Sequence, residues 1–125
     1  MILKHLFIPY ELALKLKEKG FDEPCLSVYD EMGFVQSEKI MDELNLKKTH
    51  APTYDQTFDW FREKYKYLYG IADIEIGSLG KVGYRFRFQI WKLALEESYL
   101  DDTLLGYLTY KEAQIACIEK MLTLI

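Results

Sequence analysis

Few side chains in this chain could do covalent or metal chemistry, and their spacing limits what they can do. His5, Cys25, His50 and Cys117 are its only histidines and cysteines, and no two lie closer than 20 positions. Structural zinc sites draw four such ligands from paired, closely spaced positions, so no metal centre is expected. His5 sits in the apolar run KHLFI and reads as a half-buried residue, while His50 in KKTHAP reads as a loop residue ahead of a helix. Cys25 is the one candidate nucleophile. A thiolate needs a neighbouring cation or helix N-terminus, and PCLSV supplies neither. Both cysteines lie in apolar settings and are expected to be reduced, packed thiols.

The acidic pairs Asp22-Glu23, Glu96-Glu97 and Asp101-Asp102 lack the alternating oxygen ligands of a calcium loop, so they read as solvated surface. The glycines between Gly77 and Gly83 lack the Gly-Lys-Ser/Thr ending and the following helix of a phosphate cradle, and fit a hairpin turn. No catalytic residue, metal or cofactor is therefore expected, and the chain reads as non-enzymatic. A small enzyme whose pocket the sequence does not announce is the last of the readings kept.

Binding chemistry is better represented. GYRFRFQIWK, residues 83–92, interleaves Arg85 and Arg87 with aromatic rings and ends on Trp91 and Lys92. With Lys47 and Lys48 these residues form a candidate phosphate-binding set, and KVGYRF shares the opening of an RNA-recognition signature. The match breaks at Arg87, where a small apolar residue belongs. Strict alternation instead describes a strand with Tyr84, Phe86, Phe88 and Ile90 on one face and Arg85, Arg87, Gln89 and Trp91 on the other. In the hairpin it would form with IADIEIG, Asp73 and Glu75 are expected near Arg85 and Arg87. Trp60 and Tyr67, seven apart with Lys64 between them, lie off the buried stripe of a predicted helix. With Trp91 they are the candidate interface residues, of the types that dominate hot spots.

The elements that would position these residues follow from periodicity. PYELALKLKEKGF predicts a helix over 10–19 with Leu12, Ala13 and Leu16 buried and Gly20 as its left-handed stop. Strands near 25–29 and 33–36 flank a DEMG turn whose glycine takes the left-handed position. Ser37 to Asn45 predicts a short helix whose apolar side must fold onto a sheet or await a partner. Tyr54, Thr57, Phe58, Phe61, Tyr65 and Leu68 form one helical stripe. The long hairpin follows, then an edge segment at 106–108, a capping box from Thr109 to Glu112 and a final helix over 110–124.

The expected fold is therefore α+β, in the order α-β-β-(α)-α-β-β-α. An antiparallel sheet of about four strands carries two to four helices packed mainly on one face. With 125 residues, half of them hydrophobic, residues 1–125 read as a single globular domain. No apolar run is long enough to span a membrane and the N-terminal residues lack a signal-peptide pattern, so a cytoplasmic protein with no membrane partner is expected. The net charge of -4 is uneven: Lys and Arg against Asp and Glu number 5 to 9 over residues 1–46, 9 to 5 over 47–92 and 2 to 6 over 93–125.

Three blocks, FIPYELALKLKEKGFDEPC, APTYDQTFDWFREKY and LTYKEAQIACIEKML, resemble a group of small proteins encoded by bacteriophages and prophages of gut and environmental bacteria. The resemblance covers roughly 50 residues and implies a bacterial host cell, but carries no activity with it. Residues 36–50 and 93–107 depart from it and are where individual specificity is expected. Together these readings rank a phage-type accessory protein that binds a protein partner, a host factor or its own copy, ahead of a weak nucleic-acid binder using Lys47, Lys48, Arg85, Arg87 and Lys92.

Overall fold

The computed structural model describes residues 4–78, 81–92, 98–100 and 106–125. Among them the order is α1 (Tyr10–Glu18), β1 (Ser27–Tyr29), β2 (Val35–Gln36), α2 (Glu38–Glu43), β3 (Thr49–Ala51), α3 (Tyr54–Tyr65), β4 (Tyr67–Ser78), β5 (Lys81–Lys92), β6 (Ser98–Leu100) and α4 (Tyr110–Thr123). This is the expected α+β order with two added short strands, β3 and β6. The span read from sequence as one domain divides into two compact units, Met1–Thr57 and Phe58–Ile125, with the dividing line inside α3.

In the first unit β1 is the central strand, pairing antiparallel with β2 on one side and β3 on the other. Val28 and Tyr29 are fully buried, and the Tyr29 hydroxyl donates to the Ile8 carbonyl at 2.6 Å, so this buried hydroxyl is satisfied. Leu12, Ala13 and Leu16 are the buried stripe of α1, as the periodicity requires. Gly20, at φ 98°, ends α1 in a Schellman motif: Phe21 N–H donates to Leu16 C=O and Gly20 N–H to Lys17 C=O. Phe21, beyond the stop, folds back into the core at 4 % exposure.

In the second unit β5 pairs with β4 along its whole length and with β6 at one end, and Tyr107 bridges Phe86 beyond it. α4 packs against β4 and β5, opened by Thr109, whose hydroxyl accepts from Glu112 N–H at 3.0 Å. Phe88 and Ile90 are buried, and Phe58 stacks on Tyr69 with ring centroids 3.6 Å apart.

Three expectations are corrected. The strands form two three-stranded sheets, one in each unit, instead of one sheet of about four. The β1–β2 hairpin is short, and β1 completes its second edge with residues 49–51, so His50 lies in a strand and not in a loop. The register of the long hairpin also differs: Ala72 lies opposite Arg87, Ile74 opposite Arg85 and Asp73 opposite Phe86. Asp73 therefore shares the face of Phe86, away from Arg85 and Arg87. Alternation marks two faces on each strand but does not say which face meets which; the closure of Ser78 onto Lys81 decides that.

Candidate binding groove

A concavity of the first unit lies between the β1–β2 turn and α2. It encloses about 350 Å³ and is lined by Asp30, Glu31, Met32, Met41, Asn45, Leu46 and Lys47. Its first wall is the DEMG turn, fixed by Asp30. One carboxylate oxygen accepts from Met32 N–H at 2.9 Å and Phe34 N–H at 3.0 Å, and the other accepts from the Gln36 amide at 2.9 Å. Those bonds, led by the one from Phe34, hold the Asp30 carboxyl below its usual pKa. Gly33 turns the chain at φ 84°, and a Cβ there would meet the Tyr10 ring at 3.0 Å. This rigid turn holds Met32 in water at 79 % exposure.

The second wall is the end of α2. Asn45 adopts φ 53°, Asn45 N–H donates to Asp42 C=O, and Leu46 N–H donates to Met41 C=O at 2.9 Å. This is the same Schellman motif that closes α1. In α1 its last residue, Phe21, is buried, whereas in α2 the equivalent Leu46 stays 52 % exposed beside buried Met41. Ile40 and Leu44, one turn apart on α2, are exposed as well. Lys48 ties the following segment back to the helix by ion pairs to Glu38 at 2.8 Å and to Asp42, and both raise its pKa.

The residues singled out from sequence lie elsewhere, and two of the three interface candidates are corrected. Trp60 and Tyr67 are buried, at 6 % and 8 % exposure. α3 stops at Tyr65 because Lys66 takes φ 61°, so Tyr67 opens β4 and does not share a helical face with Trp60. Trp60 packs edge-on against Phe61 and Tyr65 beneath the Lys64 ammonium, 5.2 Å from its ring centroid. The Tyr67 hydroxyl donates to Leu124 C=O at 3.3 Å. Trp91 is exposed at 39 %, and its ring covers Gly70, where a Cβ would come within 3.1 Å of it.

Of the basic set, Arg85 and Arg87 share one face of β5 with Trp91, opposite Ala72 and Ile74 in the ladder. Lys92, in the even positions of the alternation with Phe88 and Ile90, falls on the other face, where its ammonium lies 5.6 Å from the Tyr67 ring centroid. Lys47 lines the groove of the first unit, and Lys48 is held by α2. The structure thus unites Arg85, Arg87 and Trp91 and separates Lys92 from them.

Cys25 is half-buried and its thiol is pushed up to about 11, first by burial and then by Glu38 and Glu23, against a Gln56 hydrogen bond that lowers it. That is the opposite of an activated nucleophile. His50 Nε2 lies 3.7 Å from an Asp22 carboxylate oxygen. No three metal-ligating side chains gather among the described residues. Glu96, Glu97, Asp101 and Asp102 lie outside the described residues, as does the tip of the Gly77 to Gly83 turn.

Sequence reasoning did not name Met32, Met41 and Leu46 as a site. Its one signal was the short helix at 38–45 with an apolar side and no assigned cover. No protein-family model, curated protein or solved structure matches this chain.

Proposed function

We propose that the protein is a non-enzymatic accessory protein that binds another protein through the groove between the β1–β2 turn and α2. The observation that carries this is Leu46: a backbone motif that buries its last residue in α1 leaves the equivalent residue in water in α2, beside a concavity floored by Met41. Methionine and leucine at a rigid concave rim are side chains suited to a partner's apolar anchor. The chemistry of the rim favours binding over catalysis. The Asp30 carboxylate, spent on three hydrogen bonds within its own turn and lowered in pKa, is a poor general base. The phage-type setting rests on the three-block resemblance alone, and the cytoplasmic one on the sequence; no described helix is long and apolar enough to cross a membrane.

The test is paired affinity capture from host lysate with nuclease present, using the wild-type chain and the double variant Met32→Asp/Leu46→Asp. A protein partner, or a second copy, retained by the first and lost by the second is expected. Equal retention by a variant with unchanged circular dichroism overturns the assignment of this surface.

A further inference from the structure

Resting on that reading, the groove also points to the chemistry of its partner. We infer that its occupant is a basic amphipathic segment of another protein. An aliphatic anchor would sit among Met32, Met41 and Leu46, with lysine or arginine side chains against Glu31 and the C-terminal end of α2.

The argument begins with a broken local rule. The C-terminal end of a helix carries partial negative charge and favours cations in its last turn. The last turn of α1 carries Lys15 and Lys17 beside its terminal Glu18, that of α3 Arg62 and Lys64, and that of α4 Lys120. α2 has no basic residue in its last turn and places Asp42 and Glu43 there instead. Two carboxylates and the helix end then add their negative potential beside the groove. Lys48 offsets part of it by pairing with Asp42 and Glu38. Glu31, which lines the groove, and Glu43, in the last turn of α2 and not among the lining residues, are exposed and enter no ion pair among the described residues. Asp30 adds a carboxylate held in its charged form. Lys47 is the one cation lining the groove.

Like charges gathered at one helix end lower stability, and local rules are most often broken where function requires it. A positively charged partner relieves that repulsion. The apolar floor supplies affinity and the acidic rim supplies steering, the combination by which grooves take up amphipathic helices.

Two synthetic peptides test this on the full-length chain: a helix of about 18 residues with leucine on one face and lysine on the other, and its leucine–glutamate counterpart. Binding is followed by the amide resonances of Met32, Met41 and Leu46. The lysine peptide is expected to shift them and to bind at least about tenfold tighter than the glutamate peptide, losing much of that margin at high salt. Glu31→Lys and Glu43→Lys should each weaken it several-fold. Glu43→Lys should at the same time hold or raise the melting temperature, because a cation suits that helix end; a purely structural role for Glu43 predicts no change in binding.

Equal binding of both peptides in the groove leaves the binding-groove reading standing and overturns the basic partner. Binding of neither also overturns it, and the functional reading is then judged by the Met32→Asp/Leu46→Asp capture alone. Concentration-dependent shifts of the same resonances without peptide assign the groove to a second copy, and equally overturn the inference.

Discussion

At the scale of single residues, Cys25 shows how environment overrides composition. A thiol pushed up to about 11 by burial, with Glu38 and Glu23 adding to the shift, is almost entirely protonated at neutral pH. Alkylation by iodoacetamide at pH about 8 should run roughly tenfold slower at Cys25 than at a free thiol. The thiolate fraction falls about a hundredfold, and the greater intrinsic reactivity of a more basic sulfur returns part of that. Linkage fixes the sign of the accompanying stability change. The folded state holds the proton more tightly than the unfolded state, whose thiol titrates near about 8.5. The stabilisation is therefore complete below that pH and is lost as pH rises toward about 11. Urea melts between pH 8 and 11 should show this decline, and Cys25→Ser should flatten it. Rapid alkylation at pH 8 would contradict the burial that sets this thiol. Cys25 was legible as a poor nucleophile because its sequence neighbours offered no cation; the Glu38 carboxylate comes from α2 and was not.

At the scale of elements, the six-residue helix α2 and its C-cap Leu44 set a buried side chain beside an exposed one. So short a helix is unstable alone and depends on its tertiary contacts. Met41 is its buried anchor at 3 % exposure, while Leu44 stands in water. Met41→Ala should cost about 2–5 kcal/mol in urea denaturation, as removal of a packed core side chain does. Leu44→Ala should change stability by no more than about 0.5 kcal/mol. Equal costs at the two positions would mean that Leu44 is covered in solution. Much at this scale could be read from sequence, because caps and stops are local. Gly20, the Asp30 to Gly33 turn and the Thr109 cap all form where their residue types place them. The end of α3 was overrun because Lys66 carries a left-handed backbone that side chains other than glycine rarely adopt, so nothing in its residue type marks a stop. The groove stayed hidden for a related reason: Ile40, Met41 and Leu44 look alike as letters, and only the tertiary fold decides that Met41 is buried while the other two are exposed.

At the scale of the whole molecule, the distribution of charge decides between the two binding readings. A nucleic-acid surface needs its cations gathered on one face, and register, a property of paired strands, determines whether they are. Lys92 falls on the opposite face of β5 from Arg85 and Arg87, and Lys48 is committed to Glu38 and Asp42. At most Lys47, Arg85 and Arg87 then remain of the five proposed phosphate contacts. Each neutralised phosphate of a single strand contributes about 0.7 to the salt slope, so three give a log-log slope no steeper than about -2. Fluorescence anisotropy with a labelled oligonucleotide across a salt series should return that shallow slope, with Kd no tighter than about 10⁻⁶ M near physiological salt. A slope approaching about -2.8 would require Lys48 to leave α2 and join the surface as a fourth contact. It would then be abolished by Lys48→Ala, a change that otherwise loosens α2. The same substitution removes the cation that offsets Asp42 and Glu38, so on the groove reading it deepens the negative potential and strengthens capture of the lysine peptide. Lys48→Ala should therefore strengthen capture of the lysine peptide and leave oligonucleotide binding unchanged, whereas weakened oligonucleotide binding would place Lys48 on a nucleic-acid surface.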